Sequence, residues 1–254
     1  MIITEDDSGL PLPAAGGKAT VANRVAGHAP SAAPDPVLVE KMRREWDTRA
    51  KENARYYVAT AQQNWTDEEY FESGRQNVYH EILTDMGNVC QGKDPKQMKV
   101  LEIGCGSGRI TRALADVFGT VYAVDISGEM IRQAKEALRD RPNAAVFQNS
   151  GADLQVLGDI QVDFAFSYIV FQHIPSREVI QSYVRDVFRL LRPGGLFKFQ
   201  VQGDDSLMTA PEDTWLGVPF SDADAVALAE SCGFEPRHRH GAGTQYFWLW
   251  FFKP

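Results

Sequence analysis

The segment Val100-Leu101-Glu102-Ile103-Gly104-Cys105-Gly106-Ser107-Gly108 constrains this chain more than any other, because a short apolar run enters three glycines spaced two apart. Glycine tolerates φ > 0 and lets backbone come within contact distance of a neighbour, so a strand-to-helix junction of this kind is a ligand cradle. Spacing decides the ligand. A dinucleotide fingerprint G-x-G-x-x-G starting at Gly104 needs its third glycine at position 109, where Arg109 stands. The junction therefore fits a pyrophosphate poorly, and a nicotinamide-dependent oxidoreductase is disfavoured. Seventeen residues beyond Gly108 a second strand ends at Asp125, whose carboxylate can accept two hydrogen bonds from the hydroxyls of a ribose. The pair describes an adenosine-type ligand without a diphosphate.

Strand and helix patterns alternate from Lys99 onward. Strands are expected at Lys99 to Ile103, Thr120 to Val124, Ala144 to Gln148, Asp163 to Ser167 and Leu196 to Val201, with a closing pair at Phe234 to His240 and Tyr246 to Phe252. Amphipathic helices lie between them, capped by Ser127 and Ser176, and a further one opens at Ser221-Asp222-Ala223-Asp224. This βαβα order calls for a doubly wound α/β fold whose ligand lies outside the carboxyl ends of the strands. Upstream, residues 1–36 carry eight Ala, four Gly, five Pro and no aromatic residue, which predicts a flexible tail. Residues 37–96 form a helical cap and 97–254 the ligand-binding domain. In the cap, Val39, Met42, Trp46, Ala50, Asn53 and Tyr57 mark one side of a helix ending near Ala61. Thr66-Asp67-Glu68-Glu69 has capping-box spacing for a second, with Phe71, Val78, Ile82 and Met86 on its buried face. Gly74 interrupts that helix, so either something approaches its backbone closely or the helix kinks.

The strand and glycine triplet, followed by Ala123-Val124-Asp125-Ile126-Ser127-Gly128-Glu129-Met130 and by the turn Leu190-Leu191-Arg192-Pro193-Gly194-Gly195, closely resemble the class I S-adenosylmethionine-dependent methyltransferases of the small-molecule type. The resemblance is firm over residues 97–202. It implies a Rossmann-like, doubly wound seven-stranded sheet, six strands parallel and one C-terminal strand antiparallel, under an N-terminal helical lid. It implies S-adenosyl-L-methionine as cofactor, with Gly104, Gly106 and Gly108 against its methionine and ribose portions and Cys105 and Ser107 contributing backbone contacts. Glu102 matches the acidic residue near the ammonium group, Asp125 would hold the ribose, and Ile126 and Met130 would flank the adenine. The Asp that many relatives place after the third strand is replaced by Ser150, so that role falls to Asp153 or to backbone at Gly151 and Ala152. Ser167 and Tyr168 would lie beside the sulfonium and its amino-acid tail.

Methyl transfer from a sulfonium is an in-line displacement, and a base is needed only when the acceptor must lose a proton. His173, just beyond the fourth strand, could serve as that catalytic base. The acceptor is expected to be a small organic molecule methylated at oxygen or nitrogen. With 34 acidic against 26 basic residues, a net charge of −8 and no basic stripe, a nucleic acid is not the expected partner. The absence of an Asn-Pro-Pro-Tyr or Asp-Pro-Pro-Tyr segment after the fourth strand agrees with that. No apolar run reaches the roughly 20 residues a bilayer needs, so no membrane span is expected, nor is a secretory signal. Three cysteines outside any CxxC pair, with no cluster at ligand spacing, imply no metal site and a reducing, cytoplasmic setting. The alternative is a non-catalytic protein that keeps the cofactor cleft to bind a partner.

Overall fold

The computed structural model describes residues 33–207 and 214–254; the expected tail lies almost wholly outside the described residues. Its helices are α1 Pro36–Val58, α2 Asp67–Glu81, α3 Met86–Cys90, α4 Arg109–Val117, α5 Gly128–Ala137, α6 Arg177–Leu190 and α7 Asp222–Ser231. The strands are β1 Lys99–Ile103, β2 Thr120–Asp125, β3 Ala144–Gln148, β4 Val162–Ser167, β5 Leu191–Val201, β6 Glu235–His240 and β7 Phe247–Phe252. They form one seven-stranded sheet in the order β3-β2-β1-β4-β5-β7-β6. Only β7 runs against its neighbours, Leu196 facing Phe252 on one side and Glu235 facing Phe252 on the other. Six parallel strands and one antiparallel strand are what the sequence implied. Chain order reverses between β1 and β4, so the two connections leaving their carboxyl ends diverge and open a crevice there.

Alternation along each strand divides the core between the sheet faces. Leu101, Ile103, Ala165, Phe197 and Phe199 pack against α6 and α7 residues such as Val184, Val187 and Leu228. Val100, Phe164, Phe166 and Leu196 pack on the other face with Ile110 and Leu114 of α4 and Val78 of α2. The capping box of α2 is present: Glu69 N donates to Thr66 Oγ1 at 3.3 Å, and Thr66 N donates to Glu69 Oε2 at 3.1 Å. Ser127, Ser176 and Ser221 cap α5, α6 and α7 as expected. β5 begins five residues earlier than its sequence pattern suggests. Leu191 pairs with Val162 before an irregularity, so the Arg192-Pro193-Gly194-Gly195 turn is embedded in the strand.

Two departures in the cap bear on the site. α1 ends at Val58 instead of Ala61, and it kinks at Asn53 (φ −162°, ψ 83°). There the Asn53 side chain accepts the Tyr56 N–H at 3.1 Å and donates to Gln63 O at 3.0 Å. The buried stripe runs from Ala50 to Ala54, one residue beyond the Asn53 expected from sequence. In α2 the buried stripe is Tyr70, Gly74 and Val78; Phe71 is half-buried, and Met86 opens α3 instead of extending α2. Close approach explains Gly74, because a Cβ there would lie 2.3 Å from the carbonyl oxygen of Arg109 in α4. Gly74→Ala is thus expected to destabilise the protein by about 2 kcal/mol, the cost of overpacking, although Ala is the better helix former by about 1 kcal/mol. A urea melt in which the variant gains stability would show that the α2–α4 contact yields.

Candidate active site

The loop leaving β1 turns through three left-handed glycines, Gly104, Gly106 and Gly108, at φ +74°, +52° and +87°. Gly104 N and Cys105 N both donate to Val124 O of β2, at 2.8 and 3.0 Å, tying the turn to the neighbouring strand. Neither Gly104 nor Gly106 has room for a side chain. A Cβ at Gly104 would sit 2.2 Å from Val170 Cγ2, and one at Gly106 would sit 2.6 Å from Val58 Cγ2 at the end of α1. Asp125, at the tip of β2, bridges the loop and the next helix: Oδ2 accepts Gly106 N–H and Oδ1 accepts Ser127 N–H, both at 2.9 Å.

Between this loop, the end of β4 and the overlying α1 lies a cavity of about 880 Å³ counting its open mouth. Glu102, Gly104, Cys105, Gly106, Asp125, Ile126, Met130, Tyr168 and His173 line it, so most of the residues singled out from sequence meet there. The others are engaged elsewhere. Ser107 shares a 2.7 Å hydrogen bond with the buried Tyr70 hydroxyl, and Gly108 packs on Ala134 and Leu138. Ser167 Oγ donates to Ile103 O at 2.9 Å. Gly151 lies under the Ile126 side chain, while Ala152 N and Asp153 N are both bonded to Ser150 Oγ at 3.1 Å, which turns that segment toward an outer cleft.

At the place where Asp153 or its neighbours were expected to act, the cavity wall is instead Asn149. Its Nδ2 donates to Tyr183 Oη at 2.6 Å and to Asp153 O at 3.1 Å, which orients the amide and leaves Oδ1 buried without a partner among the described residues. Nothing in the local pattern distinguishes Asn149 from Ser150; Tyr183, 34 positions away on α6, makes the difference. Ile169 was missed as well. It carries φ +54°, a conformation that costs a β-branched residue about 1–3 kcal/mol, and Gln200 Oε1 holds it by accepting its N–H at 2.9 Å. The strained turn aims Tyr168, Ile169 and Val170 into the cavity.

His173 lies in the short turn after β4, its Nδ1 against the carbonyl oxygen of Trp215. Its ring packs edge-on to Trp46 at 5.4 Å and tilted to Trp215 at 5.2 Å, and Tyr57 meets Trp215 at 6.0 Å. Trp46 and Tyr57 line the cavity and also hold α1 against Trp215. α1 is clamped at its middle too, where Asp47 Oδ1 accepts Ser127 Oγ–H at 2.9 Å and Glu129 N–H at 3.0 Å.

Burial governs the electrostatics. It raises the Glu102 carboxyl to about 7 and the Asp125 carboxyl to about 6; hydrogen bonds, from Thr111 Oγ1 to Glu102 and from Ser127 and Gly106 N–H to Asp125, only partly oppose the shift. Burial also pushes the Cys105 thiol well up, which makes it a packing residue and not a nucleophile. A carboxyl raised in the folded state stabilises the protein below its unfolded value and loses that contribution as pH climbs through the folded value. For Glu102 the window runs from 4.5 to about 7 and is worth on the order of 3 kcal/mol. Glu102→Gln keeps the acceptor for Thr111 and removes the charge. The ligand-free variant is expected to melt at least ~4 °C above wild type near pH 8 and with little difference near pH 5, by scanning calorimetry. Equal melting curves at both pH values would mean the carboxylate is better solvated than its burial implies.

Residues 101–199, which hold the glycine loop, Asp125, the strained turn and His173, match the family described as a methyltransferase domain. Over that stretch the chain is similar to the class I, S-adenosylmethionine-dependent methyltransferases. Among curated relatives, a malonyl-[acyl-carrier protein] O-methyltransferase of Enterobacter lignolyticus is 33% identical over 111 residues, 43% of this chain and 41% of its own length. A probable S-adenosylmethionine-dependent methyltransferase of Mycolicibacterium smegmatis is 30% identical over 175 residues, 65% of this chain and 62% of its own. This chain thus aligns with about half the length of these relatives. The solved DhpI–SAH complex superposes with a TM-score of 0.60 over 87% of this chain and all of its own, at 21% identity, which establishes the shared fold. No helix among the described residues is long and apolar enough to cross a membrane.

Proposed function

We propose that this protein transfers a methyl group from S-adenosylmethionine to a small organic acceptor, at oxygen or nitrogen, in the cytoplasm. One observation carries the reading: a glycine cradle with no room for a side chain at Gly104 or Gly106, with a carboxylate fixed across from it on the adjacent strand. When bound, the cofactor supplies a methyl group on an activated sulfonium. The chain's own groups then bind and orient. Asp125 accepts the ribose hydroxyls, Ile126 and Met130 flank the adenine, and the unpartnered Oδ1 of Asn149 accepts from the adenine amino group. Tyr168 and the turn at Ile169 face the reacting carbon.

The acceptor would enter against Trp46, Tyr57 and His173. His173 Nδ1 lies against the Trp215 carbonyl, which orients the ring, and the imidazole acts as the general base that takes the proton of an acceptor hydroxyl. The aromatic wall excludes water and holds the acceptor in line, and positioning of that kind can lower a barrier by about 7–11 kcal/mol. A small acceptor is favoured by the limited cavity and by the net charge of −8, which repels polyanions. The cytoplasmic assignment rests on three buried, unbridged cysteines. Calorimetric titration with S-adenosylhomocysteine tests the cofactor: binding in the micromolar range is expected, and no heat of binding would overturn the reading. Transfer of labelled methyl groups to a panel of phenols, carboxylic acids and amines then sorts acceptors.

A further inference from the structure

Gln200 is a polar residue buried in β5 beside the core residues Phe199 and Val201, with only 3% of its surface exposed. A buried amide is kept where it has a partner. Here the partner is the backbone of Ile169, two residues beyond β4, whose N–H donates to Gln200 Oε1 at 2.9 Å. β5 makes a firm post for that bond, because Phe199 pairs with Ser167 of β4 on one side and Gln200 with Trp248 of β7 on the other.

Among the described residues two other than glycine have positive φ. Gln91 closes α3 as a left-handed helix cap, where that conformation is common, whereas Ile169, at φ +54°, is β-branched and stands in a loop. A backbone of that kind persists only when its surroundings hold it. What it holds in turn is the wall of the cavity. Tyr168, Ile169 and Val170 all line it, and Val170 presses on the glycine cradle, its Cγ2 lying 2.2 Å from where a Cβ of Gly104 would be. Val170 O also accepts His173 N–H at 2.9 Å, which opens the short turn that carries the imidazole. Gln200 itself is not one of the lining residues.

We propose that Gln200 is a positioning residue for methyl transfer: by holding the Ile169 N–H it keeps the Tyr168-Ile169-Val170 turn in the shape that receives the cofactor, without touching the ligand. This inference rests on the cofactor reading above.

A double-mutant cycle, with S-adenosylhomocysteine as the probe and calorimetry as the readout, tests the assignment. Gln200→Met keeps the reach of the side chain and removes the acceptor, and it is expected to weaken binding roughly tenfold, the loss of one hydrogen bond. Ile169→Gly makes the positive φ easy to adopt, so the clamp becomes dispensable; adding Gln200→Met in that background is expected to change affinity by less than about twofold. A loss of about tenfold that survives in the Ile169→Gly background would reduce Gln200 to core packing, and a single variant within about twofold of wild type would overturn the proposal outright. If Gln200→Met does not fold by itself, recovery of a cooperative melt in the double variant supports the clamp, and a double variant just as unfolded overturns it. Wild type that binds no S-adenosylhomocysteine would defeat the cofactor reading, and this one with it, before any variant is made.

Discussion

Asp125→Ala is expected to raise the dissociation constant of S-adenosylhomocysteine by about 100-fold or more, read by calorimetry. Two hydrogen bonds from hydroxyls to a charged acceptor are each worth about 1.5–3 kcal/mol, and both are lost. The substitution also releases Gly106 N–H and Ser127 N–H, which the carboxylate holds at 2.9 Å, so the loop itself slackens. Asp125→Asn separates these contributions. An amide keeps one acceptor but turns a donor toward a backbone N–H, and an intermediate loss is expected. A pH signature accompanies the effect. Burial raises this carboxyl from 3.8 to about 6, so the charged acceptor is depleted as pH falls below about 6, and affinity should decline toward tenfold per pH unit there. Wild-type affinity that is flat from about pH 5 to 8, together with a tight-binding Asp125→Ala protein, would remove the carboxylate from recognition.

His173→Gln is expected to lower kcat by roughly 10²–10⁴-fold with a hydroxyl acceptor while leaving the S-adenosylhomocysteine dissociation constant unchanged. The imidazole packs against Trp46 and Trp215, whereas Asp125 bonds Gly106 and Ser127, so the two effects should separate. With an acceptor amine already neutral at the working pH, the same variant should lose far less, because no proton must leave before attack. A loss below about fivefold with every hydroxyl acceptor would make His173 a packing residue whose ring supports the aromatic wall.

These two side chains differ in how they could be found. Asp125 is legible because its role follows from position along the chain: a strand end, a fixed step beyond a glycine turn. The turn is legible for the same reason, since φ values of +52° to +87° are demands on the backbone that only glycine meets easily. The doubly wound sheet follows from alternating periodicities and short connections, and its one antiparallel strand is what the family resemblance implied. His173 was visible as a residue after the fourth strand, but its ring orientation depends on the carbonyl of Trp215, 42 positions further on.

The inward turn of Asn149, the grip of Ser73 and Asn77 on Arg109, and Val58 over Gly106 all depend on contacts between segments with no periodic relation. Ser107 and Ser167 show the same dependence: Tyr70 and Ile103, 37 and 64 positions back, take up their hydroxyls. Sequence by itself determined the sheet, the glycine turn and the carboxylate across from it, because each is a local requirement written in residue type and spacing. Tertiary structure decided which polar groups remain unpaired inside the cavity, because a buried donor or acceptor is available to a ligand only after every distant neighbour has taken its share.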